Sequence, residues 1–325
     1  MLVRLQSKLF WKVATVCVLL YTILHVLVMK PVCMMGVVPL SHYSEYEGVA
    51  DEPHNLTIVT AYFNLGRFRK GSEGNSFGPD MYKTWGSVYR YMHNPVIFYT
   101  DSDDFASVFT AMRFAFPNLT RVIKIDRNDL WAFQWVERIR EIYSDPNYPK
   151  FHPNTVVPEY TCSQHAKYAC VEDAILKKHV RTKYVMWLDF GYFRLITERK
   201  RHFRMTLPPH FDDRKIAINQ LNYKTLTESP HDIFWNNDLW VGGGLVLGEQ
   251  SLFVRFIRNY RAAVQRYLDM SLSSTDQQVL FAMFTLRERN ILNPVDLQTY
   301  VWDVFGSCWY YLGYQCYKEL KSETV

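Results

Sequence analysis

The sequence predicts an α/β protein with a mostly parallel sheet and helices on both faces, and three observations support this prediction. Short apolar segments typical of buried strands alternate with amphipathic helical segments from residue 56 onwards. One of these strands, Tyr184–Leu188, is apolar throughout and ends at Asp189 and Gly191, as a central strand would. Three glycines, at residues 242–244, precede another short apolar strand. Ligands of open α/β sheets bind at the carboxyl ends of the strands, so Asp189 marks either a binding site or a turn.

Length and composition indicate a globular body of one domain, residues 55–325. The chain has 325 residues, of which 48% are hydrophobic and 16% aromatic, so it can bury a substantial core. Its net charge of +5 is spread along the chain. Because there is no long basic block, nothing indicates a nucleic-acid partner, whereas a basic surface suits an anionic small molecule.

The first 54 residues predict an attachment to a membrane. Residues 13–29 contain no Asp, Glu, Lys or Arg, which is typical of a short transmembrane signal-anchor helix. Basic residues precede this segment and acidic residues follow it, which predicts a cytoplasmic tail (1–12), a stem (30–54) and a luminal body. The expected location is therefore the Golgi or endoplasmic reticulum membrane, as a single-pass type II protein. The alternative is a cleaved signal peptide on a soluble secreted protein, although no small-x-small site follows residue 29 directly.

Two further features fit a secretory address. Asn55-Leu-Thr57 and Asn118-Leu-Thr120 are glycosylation acceptors in a luminal protein, although such triplets also occur by chance. An oxidising lumen predicts two disulfides among the four cysteines of the body, with the pairing left open. These cysteines are Cys162, Cys170, Cys308 and Cys316.

The body begins with a strand, Leu56–Tyr62, that runs into a polar loop containing glycine, as nucleotide-binding α/β domains often do. It has no G-x-G-x-x-G fingerprint. Helices and strands then alternate up to a proline-rich loop at 145–158, from which a helix leads into the central strand. We predict helices over residues 80–91, 105–116, 130–143 and 164–179, and strands over 95–100 and 122–125.

The second half of the chain is less regular. An arginine-rich run at residues 194–204 is typical of a solvated surface. The glycines at 242–244 allow the backbone to lie against a ligand, or else they form a tight turn or a bulge. The aromatic segment 302–317 predicts a packed, disulfide-tied end of the body. We predict strands over residues 216–221 and 245–247 and helices over 253–268 and 274–286, the last with capping residues Ser274 and Gln277.

Four stretches taken together resemble the HtrL/YibB family, which looks like a branch of the GT-A glycosyltransferases. The resemblance covers residues 56–289 and is most specific in the first strand and in W-L-D-F-G. It implies a GT-A-like (Rossmann-like) domain that transfers a sugar from a nucleotide-sugar to a glycan, lipid or protein acceptor. The alternative is a non-catalytic carbohydrate-binding or scaffolding protein that retains this fold. The four stretches are Thr57-Ile-Val-Thr-Ala-Tyr-Phe-Asn64 with Gly66-Arg67, Met186-Trp-Leu-Asp-Phe-Gly191, Gly242-Gly-Gly244 and Asp276-Gln277.

The resemblance implies a metal ion beside the donor diphosphate. In GT-A enzymes a D-x-D motif holds Mn²⁺ or Mg²⁺ there, and Asp189 matches the first position of that motif. Gly191 stands where the last Asp would be, so water, the diphosphate and another acid would have to complete the ligands. Asp101-Ser-Asp103 is a literal D-x-D and a rival, although acids also favour the start of a helix.

The resemblance also implies the remaining site residues. Tyr62, Asn64 and Arg67 would meet the nucleotide, with Lys167 aimed at it from the helix before the central strand. Gly243 and Gly244 would close over the sugar and acceptor, Asp276 would meet the sugar, and Asp276 or Asp238 would be the base. Simpler interpretations are a core Tyr62, an exposed Lys167 and a helix-start Asp276. The Asp189-Phe-Gly triplet also matches the kinase D-F-G, but no other kinase motif accompanies it.

Overall fold

A seven-stranded sheet forms the centre of the fold. The structure, a computed structural model, describes residues 55–71, 74–223, 226–302 and 307–320. In chain order the strands are β1 (Leu56–Tyr62), β2 (Phe68–Lys70), β3 (Asn75–Phe77), β4 (Val96–Thr100), β5 (Thr120–Lys124), β6 (Tyr184–Leu188), β7 (Phe203–Met205), β8 (Ile216–Gln220), β9 (Val241–Glu249), β10 (Leu297–Val301) and β11 (Tyr317–Glu319). The order in the central sheet is β10-β8-β9-β6-β1-β4-β5, and two-stranded ribbons join β2 to β3 and β7 to β11.

The direction of the strands brings several chain segments to one edge of the sheet. β6, β1, β4 and β5 pair in parallel, as do β8 and β10, whereas β9 runs antiparallel to both of its neighbours. The carboxyl end of β6 therefore meets the beginning of β9. The register between β8 and β9 shifts between Ile218 and Asn219, which leaves part of the glycine segment of β9 outside that ladder. The predicted α/β class with a mostly parallel sheet is confirmed.

Helices cover both faces of the sheet. Side chains alternate along each strand, so Val185 and Trp187 of β6 enter one core cluster while Met186 and Leu188 enter the other. The first cluster includes buried residues of the helices Pro158–Leu176, Gln250–Asp269 and Asp276–Met283. The second includes buried residues of the helix Asp103–Met112 and of the C-terminal segment. The helices are α1 (Pro79–Gly86), α2 (Asp103–Met112), α3 (Val136–Ser144), α4 (Pro158–Leu176), α5 (Pro230–Trp235), α6 (Gln250–Asp269), α7 (Asp276–Met283), α8 (Leu286–Leu292) and α9 (Tyr311–Cys316).

Several helix boundaries differ from the prediction. The helix predicted at 164–179 begins earlier because Pro158 is its first residue, where proline needs no hydrogen-bonded N–H. The helix predicted at 274–286 is two helices, α7 and α8, and begins at Asp276. The predicted cap at Ser274 is wrong, since the Ser274 hydroxyl donates to Oε1 of Gln278 at 3.1 Å instead.

The prediction of two disulfides among the four body cysteines is wrong. Cys162, Cys170 and Cys316 are free and buried, whereas Cys308 is disulfide-bonded, to none of these three. The three thiols behave as small apolar side chains inside the two cores.

The predicted tail (1–12), transmembrane helix (13–29) and stem (30–54) lie outside the described residues. The described residues belong to one compact unit, Met35–Val325. Within the described part of the chain, no helix has the length and apolar character needed to cross a membrane.

Candidate functional site

A cavity of about 610 Å³ lies at the edge of the sheet where β1 and β6 end. Tyr62, the last residue of β1, and Asp189, the first residue after β6, both line it. Its wall combines aromatic rings, amide or hydroxyl groups and cations. They include Phe68, Tyr82, Tyr160, Tyr192, Trp309 and Tyr310, then Asn154, Ser163, Gln164, Asn237, Thr275 and Gln277, and Lys70, Lys150, Lys167 and Arg194. Such a lining suits a polar, anionic ligand with ring systems.

Asp189 is the one acid of the described residues that lines this cavity. Its side chain is 40% exposed. Oδ1 accepts a hydrogen bond from Nε1 of Trp187 at 2.8 Å and lies 3.2 Å from Nζ of Lys167. The backbone N–H of Asp189 donates to the carbonyl of Gly244 at 2.8 Å. The carboxylate is therefore held in place through Oδ1, while Oδ2 has no hydrogen-bond partner among the described residues and is left for a ligand.

Lys167 connects Asp189 to a second, buried acid. It lies on α4 with its side chain only 6% exposed, and Nζ is 3.3 Å from Oδ2 of Asp276 as well as 3.2 Å from Asp189. Nζ also donates to the carbonyl of Gly243 at 3.2 Å. Burial alone would lower the pKa of Lys167, but the charges of Asp189 and Asp276 outweigh it and raise that pKa. The ammonium stays protonated, and its three donors are all used within the protein.

Asp276 is buried behind this lysine. Burial raises the pKa of its carboxyl group, and the charge of Lys167 opposes that rise. Because the side chain is only 2% exposed, it contacts Lys167 rather than the cavity. Its neighbour Gln277 does line the cavity.

The glycine segment at the start of β9 fits closely around the two acids. A Cβ at Gly243 would lie 1.7 Å from Oδ2 of Asp276. A Cβ at Gly244 would lie 3.1 Å from the ring of Tyr192 and 3.5 Å from Oδ2 of Asp189. The glycines therefore allow the backbone to approach other groups closely, as predicted. At Gly243 the backbone lies against the carboxylate of Asp276, and at Gly244 it lies against the cavity wall.

Tyr62 at the end of β1 lines the cavity, as do Phe63 and Leu65 of the loop that follows it. Tyr62 is buried and stacks on Phe105 with ring centroids 3.6 Å apart, so it is also part of the core. Asn64 and Arg67 are exposed and do not line the cavity. Arg67 forms a long, exposed ion pair with Asp80 at 3.7 Å.

The rival D-x-D also lies outside the cavity lining. Oδ1 of Asp101 accepts the backbone N–H of Asn64 at 2.9 Å, and Oδ2 is 3.2 Å from Nη1 of Arg127. Asp103 is the first residue of α2 and pairs with Lys124 at 2.5 Å. These acids hold a loop and begin a helix, as the simpler interpretation of the motif predicts.

Asp238 lies between α5 and β9 and does not line the cavity. Its carbonyl accepts a hydrogen bond from Nε2 of Gln278 at 3.3 Å. It is thus close in the chain to the glycine segment, but its side chain is not brought together with Asp189 and Lys167.

Two cations of the cavity were not singled out from the sequence. Arg194 follows the central strand and stacks over the rings of Trp85 and Tyr310, at 5.3 and 5.2 Å from their centroids. Lys70, at the end of β2, lies 5.7 Å from the ring centroid of Tyr160. Neither forms an ion pair with a carboxylate of the described residues. Arg194 could have been found from its position shortly after Asp189. The arginine-rich run that contains it was instead interpreted as solvated surface.

The acids present do not fit a divalent metal ion held by the protein. The described residues contain no group of three or more His, Cys, Asp or Glu side chains that could hold one. Asp189 offers one carboxylate, and its Oδ1 already lies 3.2 Å from the ammonium of Lys167. Mn²⁺ or Mg²⁺ requires several oxygen ligands, and a neighbouring ammonium opposes a second cation. The predicted metal role of Asp189 therefore finds no supporting ligand set.

Comparison with known proteins identifies the family. The model of the HtrL_YibB family, described as a bacterial protein of unknown function, matches residues 54–306. Protein HtrL of Escherichia coli strain K12 is 25% identical over 252 residues, which make up 74% of this chain and 87% of that protein.

Similarities to solved structures are weaker. The glycosyltransferase GlyE of Streptococcus pneumoniae TIGR4 has a TM-score of 0.37 and 10% identity over 76% of this chain. This chain spans 45% of the GlyE chain. The 4-diphosphocytidyl-2C-methyl-D-erythritol synthase of Anaerococcus prevotii DSM 20548 has a TM-score of 0.32 and 9% identity, over 78% of this chain and 89% of that one. At these TM-scores neither similarity establishes a shared fold or function.

The predicted location is corrected by the family. A Golgi or endoplasmic reticulum membrane was expected from the charges around residues 13–29. The family is described as bacterial, and the relative is a protein of E. coli, a cell without either organelle. The prediction is therefore wrong.

Proposed function

From the premise that the chain belongs to the HtrL_YibB family, we propose that it is a glycosyltransferase. It transfers a sugar from a nucleotide-sugar to a hydroxyl group of a glycan, lipid or protein acceptor. One observation carries the proposal. Oδ2 of Asp189, which has no hydrogen-bond partner among the described residues, lies in the wall of the same cavity as the cations Lys70 and Arg194. The match of Asp189 to the first position of the GT-A D-x-D motif agrees with this reaction.

The cavity suits both parts of a nucleotide-sugar. Arg194 and Lys70 match the negative charge of a diphosphate, which Arg can bind through two parallel hydrogen bonds. Faces of Tyr and Trp rings suit the stacking of a base or a sugar, and amide side chains suit sugar hydroxyls. Asn154 and Asn237 line the same cavity and are hydrogen-bonded to each other at 3.3 Å.

The transfer needs a base and a stabilised leaving group. The bond between the anomeric carbon and the diphosphate oxygen breaks, and its electron pair leaves with the nucleoside diphosphate. The acceptor oxygen forms the new bond to that carbon, and its proton passes to Oδ2 of Asp189. The cations Lys70 and Arg194 stabilise the charge that develops on the diphosphate.

Lys167 and Asp276 act as positioning residues in this scheme. Lys167 fixes Oδ1 of Asp189 through its 3.2 Å contact, and Asp276 fixes Lys167 from the buried side at 3.3 Å. Asp276 is too deeply buried to reach an acceptor directly. The resemblance implied Asp276 or Asp238 as the base, and nothing in the structure tests that role. We propose Asp189 as the base instead.

Release of nucleoside diphosphate from nucleotide-sugars tests the proposal. The full-length protein would be incubated with a panel of UDP-, GDP-, ADP- and dTDP-sugars, with and without simple glycan acceptors. We expect turnover of one donor class above the rate of a heat-treated control. If no donor is turned over while the protein binds oligosaccharides, the carbohydrate-binding alternative replaces the enzyme.

A further inference from the structure

We infer that the donor diphosphate is held by the fixed cations Lys70 and Arg194 and that its binding needs no divalent metal ion. This inference rests on the proposed function and departs from the metal that GT-A enzymes place at the position of Asp189.

The carboxylate at the end of β6 is already occupied by a cation of the protein. Nζ of Lys167 lies 3.2 Å from Oδ1 of Asp189 and 3.3 Å from Oδ2 of Asp276. The three groups together carry one net negative charge, because a single ammonium faces two carboxylates. Lys167 thus takes one carboxylate oxygen that an ion would need, and it has no donor left for a phosphate.

Lys150 is also engaged. Its Nζ donates to the carbonyls of Tyr143 at 2.5 Å and Asp145 at 3.0 Å. Among the described residues, four Lys and Arg side chains line the cavity, and two of them, Lys70 and Arg194, have no hydrogen-bonded anion or carbonyl group there. Their positive charge is not matched by a carboxylate of the described residues.

Aromatic rings hold these two cations in place. Arg194 lies over the rings of Trp85 and Tyr310 and donates a hydrogen bond to the Tyr310 hydroxyl. Nζ of Lys70 lies 5.8 Å from the centroid of Phe77 and 5.7 Å from that of Tyr160. Rings on their flanks fix the cations without neutralising them, so their charge remains available to a ligand.

The two cations line the same cavity as Tyr310. Burial raises the pKa of Tyr310, and the charges of Arg194 and Lys70 both oppose that rise. Both charges therefore lie within electrostatic range of the same hydroxyl group. A diphosphate bound between Arg194 and Lys70 would meet two positive charges, which is the charge that a single divalent ion would otherwise supply.

Binding of nucleoside diphosphates with and without metal tests this inference. UDP, GDP, ADP and dTDP would be titrated calorimetrically into full-length protein, once in EDTA and once with Mn²⁺. We expect one diphosphate to bind equally well in both buffers. Binding that appears only with Mn²⁺ would overturn the inference and leave the proposed function standing, whereas no binding in either buffer would overturn both.

Matched variants test the residues. Lys70→Gln and Arg194→Gln should each weaken binding in EDTA by about 10-fold to 100-fold, because each removes a charge-assisted contact. Arg69→Gln, next to Lys70, and Arg199→Gln, at the other end of the short 3₁₀ helix that begins at Arg194, serve as controls because neither lines the cavity. Melting temperatures check that all four variants fold. Unchanged affinity in folded Lys70→Gln and Arg194→Gln would overturn the inference.

Discussion

Gly243 shows at the scale of one residue how closely the site is packed. A methyl group there would lie 1.7 Å from Oδ2 of Asp276, whereas one at Gly242 would lie 3.4 Å from the Leu221 methyls. We expect Gly243→Ala to lower the free energy of unfolding by about 1–3 kcal/mol, because the Lys167–Asp276 pair must move. Gly242→Ala should cost less than about 1 kcal/mol. Chemical unfolding of the two variants checks this, and equal stabilities would contradict the close approach at Gly243.

His165 gives a prediction about pH. It is buried with Nδ1 2.7 Å from the hydroxyl of Tyr260, and burial, aided by the charge of Lys167, lowers its pKa to about 3. In the unfolded chain the imidazole of His165 has its ordinary pKa of about 6.5. The unfolded state therefore holds more protons between pH 6.5 and 3, so stability is fully present above pH 6.5 and is lost as the pH falls.

The measurement compares wild type with His165→Gln. Between pH 7 and pH 5 the wild type should lose about 2 kcal/mol more of its free energy of unfolding than the variant loses. Guanidinium unfolding at the two pH values gives both differences. Parallel losses in the two proteins would show that His165 is not held neutral.

At the residue scale, the sequence predicts the position of Asp189 at the end of a buried strand, but not its contact with Lys167. An acid at the end of an apolar strand is a local signal, and Lys167 and Asp276 were each candidates through resemblance. Their contact with one another is not local, since α4, β6 and α7 are joined only by tertiary packing. Lys70 and Arg194 were missed because each lies beside an aromatic ring that is distant in the chain, Tyr160 for Lys70 and Trp85 for Arg194.

At the scale of elements, the free thiols give a further prediction. Burial raises the pKa of Cys162 to about 12 and that of Cys316 above its usual range, so both remain protonated at pH 8. We expect Cys162, Cys170 and Cys316 to resist alkylation in the native protein and to react without reductant once it is unfolded. Peptide mapping of the alkylated cysteines, before and after unfolding, measures this difference. A disulfide among these three cysteines would contradict the structure.

Element types were predictable where periodicity is strong, and boundaries were less so. The strand Tyr184–Leu188 agrees residue for residue with the prediction. The glycine segment was interpreted as a turn or ligand contact, but Gly242 to Gly244 lie inside β9, because β9 pairs with β8 at Val241 and Gly242, beyond the end of its ladder with β6. The short strands β2 and β3, which position Lys70, have too few residues to give a periodic signal.

At the scale of the whole molecule, alternation of strands and helices was sufficient to predict the sheet and the edge at which the cavity lies. Buried parallel strands are apolar throughout, and their carboxyl ends meet at one edge. Location was not predictable in this way. Charges flanking an apolar segment indicate an orientation across a membrane, but they do not identify the organelle or the kind of cell.

We propose that Asp189, rather than the D-x-D at Asp101 and Asp103, carries the chemistry. The most direct measurement is nucleoside diphosphate release by Asp189→Asn, with Asp103→Asn as the matched control. Asn preserves the shape and the hydrogen bond from Trp187 but cannot take a proton, so we expect a loss of about 100-fold or more with a nearly unchanged melting temperature. Asp103→Asn should retain most of the activity, because that side chain is 83% exposed and lies outside the cavity. A folded Asp189→Asn protein with near-normal release, or a folded but inactive Asp103→Asn protein, would contradict the claim.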